Sequence, residues 1–275
     1  MPPVTVCQSV AMRCHAHIPR CANRPVRRRF LQVALAAAVA VSVGLAAGDS
    51  EEPAAAQPVV PREHRVAVFS DSVGLGARNA IPAAFPSDWE VNVVGQPARF
   101  VEQLENGPCF WTLTGQQCDV RFRLAASPHW FGDHVVIAAG YNYPYWDPGR
   151  FDRSIDSMVR RLTNAGVKHV YWVTLREIDP RYISASAWRD VQRYSWYFPE
   201  VNERLRAALA RHPGLTLIDW AAAANRPNLT YDAIHLNSNG AALYAQLIEE
   251  TVRSMMGPPQ RPSNSARALD TPLEW

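Results

Sequence analysis

The sequence predicts an α/β protein, a three-layer α/β/α domain built on a five-stranded, mostly parallel sheet. Three observations carry that expectation. Short apolar runs alternate with stretches of helical periodicity, the pattern of βαβ units. The runs are rich in Val and Ile, which suits strands covered on both faces. The stretch that holds them, residues 63–256, is long enough to bury one substantial core and contains no internal repeat.

Strands are expected at Arg65–Phe69, Trp89–Val94, His134–Ala139, His169–Leu175 and Leu215–Asp219. A helical stretch from Leu75 to Ala84 follows the first of them. Between the third and fourth strands, Phe151, Ile155, Met158, Val159 and Leu162 recur at helical spacing, and Val201, Leu205, Ala208 and Leu209 do so before the fifth. A last helix carries Leu243, Leu247, Ile248 and Val252 on one side, with Asn237 or Ser238 as its cap.

The flanks read differently. Residues 1–48 hold six arginines and no acid, and Arg27, Arg28 and Arg29 lead through Phe30 and Leu31 into an apolar run from Val33 to Ala47. This is the order of an export signal, similar to the twin-arginine type. The run of 15 residues is short for a membrane span, which needs about 20. An exported, extracytoplasmic protein is therefore expected, with any membrane or cell-wall association made through this segment. Residues 49–62 read as a flexible linker, and residues 257–275, with Pro258, Pro259 and Pro262, as a disordered tail.

The formal net charge of +3 is a product of that N-terminal segment. Without its six arginines, 22 basic side chains face 25 acidic ones, a balance of −3. This argues against a nucleic-acid partner, whose phosphates call for a basic face on the folded part. Nothing in the composition calls for a second copy, and a monomer is expected. Of the five cysteines, Cys109 and Cys118 are the two inside the folded body, and in an oxidising compartment they are expected to form a disulfide. Neither has a His or further Cys at ligand spacing, so no metal is expected.

In an open parallel sheet the ligand site lies beyond the carboxyl ends of the strands, which gives each polar residue a positional test. The first strand runs into Ser70-Asp71-Ser72-Val73-Gly74, placing Ser72 in a strand-to-helix turn where backbone N–H groups can meet a developing negative charge. The second strand ends at Gly95, whose missing side chain would let an N–H approach a ligand. The third ends in Gly140-Tyr141-Asn142, with a side-chain amide at the same edge. Near the end of the body comes Tyr231-Asp232-Ala233-Ile234-His235, where a carboxylate three residues before an imidazole can fix its tautomer. Each of these alone is an ordinary turn or cap. Four of them on one predicted edge are not.

Together, in chain order, Ser72 in its Asp-Ser block, Gly95, the Gly-x-Asn of Gly140 to Asn142 and the Asp-x-x-His of Asp232 to His235 resemble the blocks of the SGNH/GDSL hydrolases, whose sheet is flavodoxin-like. The likeness spans about residues 66–245. The stretch from Asp71 to Ala77 is also similar to SGNH domains associated with glycan acyltransferases. Two positions depart from the pattern: Ser70 stands where Gly is usual, and Tyr143 follows Asn142 where Asp is frequent. The resemblance implies Ser72 as nucleophile, His235 as base, Asp232 behind it, and an oxyanion hole from Ser72, Gly95 and Asn142, with no cofactor. It implies an exported esterase for acylated carbohydrates or lipids. The alternatives are an acyltransferase acting on a cell-surface glycan, or a glycan-binding module on an inactive scaffold.

Other residues compete for these roles. His134 and His169 open their strands and belong at the amino edge; His64, His129 and His212 lie in flanking or loop contexts. Asp219 is a rival for the orienting carboxylate, and Asp71 reads as a brace for the Ser72 turn. Arg99 and Arg176, each just past a strand, read as solvated surface residues that could meet an anionic substrate. Tyr141, Tyr143, Tyr145 and Trp146, with Trp188, Tyr194, Trp196, Tyr197 and Phe198, form either an aromatic rim or ordinary packing.

Overall fold

A computed structural model describes residues 59–107, 110–112, 115–117 and 119–256. The expected export segment, the expected linker up to residue 58, the expected tail from 257, and both Cys109 and Cys118 of the expected disulfide lie outside the described residues. Arg62 opens a 3₁₀ turn and its guanidinium donates to Asp133 at 3.2 Å.

The strands of the main sheet are β1 (Arg65–Ser70), β2 (Glu90–Gly95), β5 (His134–Ala138), β6 (His169–Val173) and β7 (Leu215–Ile218), in the order β2-β1-β5-β6-β7. All neighbours are parallel, so the expectation of a mostly parallel five-stranded sheet holds in full. β5 is buried along its whole length, as its Val and Ile content requires. A small antiparallel hairpin, β3 (Phe110–Thr112) and β4 (Gly115–Gln117), was not expected.

One face of the sheet is covered by α3 (Val101–Asn106), α4 (Val120–Ala126), α5 (Pro148–Asn164) and α7 (Phe198–Arg211), whose core includes Val101, Val120, Phe151, Met158, Val201 and Leu205. The other face is covered by α1 (Ser72–Leu75), α2 (Ala80–Ala84), α8 (Trp220–Ala223) and α9 (Ser238–Ser254), around Ile81, Trp220, Tyr244 and Ile248. These are the three expected layers. Each such apolar side chain contributes roughly 1.5–3 kcal/mol by leaving water. A further helix, α6 (Ala185–Val191), lies in the connection from β6 to α7.

The helix expected from Leu75 to Ala84 is divided. After α1 the chain closes tight turns, with Ala77 N–H to Gly74 and Arg78 N–H to Leu75, before α2 begins. Pro82 explains the break: it has no N–H for the Arg78 carbonyl, so it is accommodated only in the first turn of a new helix. Asn237, not Ser238, caps α9, accepting the Gly240 N–H at 3.0 Å.

Candidate active site

The chain leaves β1 toward β2 on one side and returns as β5 on the other, so the carboxyl ends of β1 and β5 flank the crevice of the sheet. Asp71 sits there, fully buried. Its Oδ1 accepts the Val73 N–H at 3.0 Å, capping α1, and its Oδ2 accepts the N–H groups of Gly140 and Tyr141 at 3.2 Å each. The brace expected of Asp71 therefore reaches further than the Ser72 turn, fastening it to the loop that carries Asn142. Burial pushes the Asp71 carboxyl up to about 6, against the three N–H donors, which favour its charged form.

Ser72 is the first residue of α1. His235 Nε2 lies 3.0 Å from its hydroxyl, and His235 Nδ1 lies 2.6 Å from Asp232 Oδ2. Asp232 Oδ1 also accepts the backbone N–H groups of Ile234 and His235, at 3.0 and 2.7 Å. Partial burial pushes the Asp232 carboxyl up, but the hydrogen bonds from His235 and Ile234 outweigh it and hold the group below its ordinary value. The turn is tight enough to force Ala233 to a φ of 77°, a left-handed conformation that costs an L-residue about 1–2 kcal/mol. Its neck is closed by the Thr230–Leu236 bridge and by Tyr231 N–H to the His235 carbonyl at 3.1 Å. The exposed Tyr231 ring stacks on the imidazole, with centroids 5.8 Å apart.

Asp219 takes a different role. It caps α8 through the Ala222 N–H and accepts from the Thr174 hydroxyl at 3.3 Å, while Asp232 is the carboxylate on His235. Asn142 lies half-buried two residues beyond Gly140. Gly95 ends β2 opposite Ser70, and a Cβ there would come within 2.2 Å of the Ser70 carbonyl oxygen. The close approach that requires glycine is thus the packing of β2 on β1.

Both departures from the motif pattern are accommodated. Ser70 is fully buried, its hydroxyl donating to the Asp71 carbonyl at 2.6 Å, and Gly74 leaves room for it, since a Cβ on Gly74 would stand 2.7 Å from Ser70 Oγ. Tyr143 is a packing residue, buried against Phe151 and Tyr197, with its hydroxyl donating to Glu200 at 2.8 Å. Of the remaining aromatics, Phe198 is core and Tyr197 nearly so, whereas Tyr145, Trp146 and Trp196 are exposed neighbours.

The other histidines lie where the strand positions put them. His134 and His169 open β5 and β6 side by side with stacked rings, and burial pushes His134 down to about 4. His212 meets Asp156 at 2.6 Å, and His64 meets Asp88 at 3.0 Å. Among the described residues no cluster of His, Cys, Asp and Glu suits a metal ion.

Two features escaped the sequence. Arg99 lies in the loop after β2, but Arg176, expected at the surface, is only 2% exposed. Its guanidinium fills the interior of the loop between α8 and α9, and burial lowers its pKa. Ala98, in the loop after β2, has a φ of 56°. Arginine after a strand gives no sign of burial, and alanine gives no sign of a left-handed backbone.

No protein-family model matches the sequence, and no curated protein matches it. Solved structures do. A lipase/acylhydrolase from Enterococcus faecalis is 19% identical, with a TM-score of 0.50 over 72% of this chain and 100% of that one. A Slackia heliotrinireducens protein whose name places it among the SGNH hydrolases is 20% identical, with a TM-score of 0.50 over 68% of this chain and 97% of that one. The C-terminal catalytic domain of Streptococcus pneumoniae peptidoglycan O-acetyltransferase A is 22% identical, with a TM-score of 0.49 over 70% of this chain and 93% of that one. With the sheet order, the layers and the two neighbours at a TM-score of 0.50 in hand, the chain has the fold of the SGNH/GDSL hydrolases.

Proposed function

We propose that the protein is a serine esterase that cleaves carboxylic esters through an acyl-Ser72 intermediate. The observation that carries this reading is the unbroken line from Ser72 Oγ through His235 to Asp232, with contacts of 3.0 and 2.6 Å, at the carboxyl edge of the sheet. His235 Nε2 accepts the Ser72 proton as the oxygen attacks the carbonyl carbon. The same nitrogen then protonates the departing alcohol. Asp232, itself held by two backbone N–H groups, keeps the imidazole in the tautomer that leaves Nε2 free and supports the imidazolium. The Ser72 and Gly95 N–H groups and the Asn142 amide are assigned to the oxyanion, where loss of one donor typically costs about 10²–10³ in rate. Water attacking the acyl-Ser72 carbonyl, with His235 again as base, releases the acid.

The substrate class is an acylated carbohydrate or lipid outside the cytoplasm, the location assigned by the arginine-led apolar segment at the N-terminus. Exposed Tyr145, Trp146 and Trp196, on and near the loop that carries Asn142, suit sugar faces or acyl chains. The test is turnover of p-nitrophenyl acetate and labelling of Ser72 by a fluorophosphonate probe. Folded protein that neither turns over the ester nor takes the label would be a binding module instead. Product analysis with a glycan acceptor present separates hydrolysis from acyl transfer, since the two differ only in what resolves the acyl-enzyme.

A further inference from the structure

We infer that Arg176 is the positioning residue that sets the distance between the two halves of the proposed triad, an inference that rests on the esterase reading. The side chain is rooted firmly. The N–H and carbonyl of the preceding Leu175 are both held by the buried Asn202 amide, at 2.7 and 2.8 Å, and the Arg176 N–H donates to the Tyr141 hydroxyl at 2.8 Å. From that root the guanidinium enters the loop between α8 and α9. Nε donates to the Ala224 carbonyl at 3.0 Å, Nη2 to the Arg226 carbonyl at 3.1 Å, and Nη1 to the Thr230 hydroxyl at 2.8 Å and the Ala233 carbonyl at 3.5 Å.

None of these four acceptors is a carboxylate. A buried guanidinium without a paired anion is costly, and what it obtains here is the geometry of one loop. That loop contains Asn228 and Ala233 at φ of 62° and 77°, conformations that persist only when the surroundings over-determine them. Asp232 lies within the segment so pinned, and His235 two residues beyond its last tether. On the other side, Tyr141, which accepts from Arg176, donates its own N–H to Asp71, the cap of the Ser72 turn. One residue thus refers the nucleophile and the acid–base pair to a common frame. Only a planar fork with donors on three nitrogens reaches acceptors spread from Ala224 to Ala233; an ammonium does not.

The test uses the full chain with Arg176→Lys and, as a milder variant that removes one tether, Thr230→Val. Misplacement of a base by about 1 Å costs on the order of 10²-fold, so Arg176→Lys is expected to lower kcat by about that factor, with KM nearly unchanged because the side chain does not reach the surface. Thr230→Val lowers kcat less. In a His235→Ala background the Arg176→Lys change should add no more than about twofold, because groups acting as one unit are not additive. Amide hydrogen exchange at Tyr231, His235 and Asn237 should quicken in both variants, a readout independent of turnover. Folded Arg176→Lys protein with wild-type kcat and unaltered exchange overturns the assignment, as does a loss that persists in full without His235. Wild-type protein that turns over no ester and takes no probe overturns the esterase reading itself, and the exchange data then report on the tether alone.

Discussion

His235 Nε2 stands 3.0 Å from the Ser72 hydroxyl across 163 residues of chain, so the two groups need no loop movement to share a proton. Neither side chain contributes to the core: both are half-buried on the outer edge of the sheet. Ser72→Ala and His235→Ala are therefore each expected to remove nearly all p-nitrophenyl acetate turnover, by at least about 10⁴-fold, while the thermal transition moves by less than a few degrees. Comparable turnover in the Ser72 variant would end its assignment as nucleophile.

Asp232 and Asp219 both close a short turn, but only Asp232 touches the imidazole. Asp232→Asn keeps an acceptor for the backbone while presenting the wrong partner to Nδ1, and a fall of about 10⁴-fold in kcat is expected, with residual turnover from the oxyanion donors. Asp219→Asn should cost less than about tenfold in kcat and little stability, because its amide oxygen still accepts the Ala222 N–H and Asn caps a helix about as well as Asp. Steady-state kinetics of the two variants side by side decide the matter, and a more damaging Asp219 change would reverse the assignment.

The sequence made the frame of this site legible because strands buried on both faces announce themselves by composition. β1, β2, β5 and β7 fall within one residue of the expected spans, and β6 ends two residues short of its own. The positional rule for parallel sheets puts His134 and His169 at the amino edge, where they open β5 and β6, and His235 apart from them, beside Ser72. Arg176 was misread for the opposite reason. Its burial depends on carbonyls 48 to 57 residues further along the chain, which no local pattern records. The hairpin of β3 and β4 is too short for alternation to show, and the break between α1 and α2 is a steric effect of Pro82 within an otherwise helical run.

Asp71 gives the fold a pH signature of its own. Its carboxyl is raised from 3.8 to about 6 by burial, so the folded chain binds that proton more tightly than the unfolded chain does. The contribution favours the fold below the unfolded value and is lost as pH rises through about 6. A shift of this size corresponds to about 3 kcal/mol. Urea unfolding of wild type and Asp71→Asn from pH 4 to pH 7.5 isolates the effect, since the amide does not titrate and the other groups cancel. The stability of wild type relative to the variant should fall across that interval and level off above it. A difference that rises or stays flat contradicts the burial argument and points to a carboxylate kept charged by its three N–H donors.

Ala98 supplies a prediction about stability alone. The loop it occupies is pinned at one end by Gln96 N–H on the Ser70 carbonyl at 3.0 Å, and at the other by Phe100 N–H on the Gln103 side chain, also at 3.0 Å. With both ends fixed, the chain passes through a φ of 56° at Ala98, where an L-residue bears about 1–2 kcal/mol of steric cost. Its methyl group is exposed, so deleting it forfeits little burial. Glycine relieves the strain and adds about 0.5–1 kcal/mol of unfolded-state entropy in opposition. Ala98→Gly is therefore expected to be stabilising by about 0.5–1 kcal/mol, a rise of roughly 1–4 °C in Tm, whereas Ala98→Val, β-branched in the same backbone, should lower it. Calorimetry on the three proteins checks this, and a glycine variant less stable than wild type would mean that the loop relaxes away from the left-handed conformation at no cost.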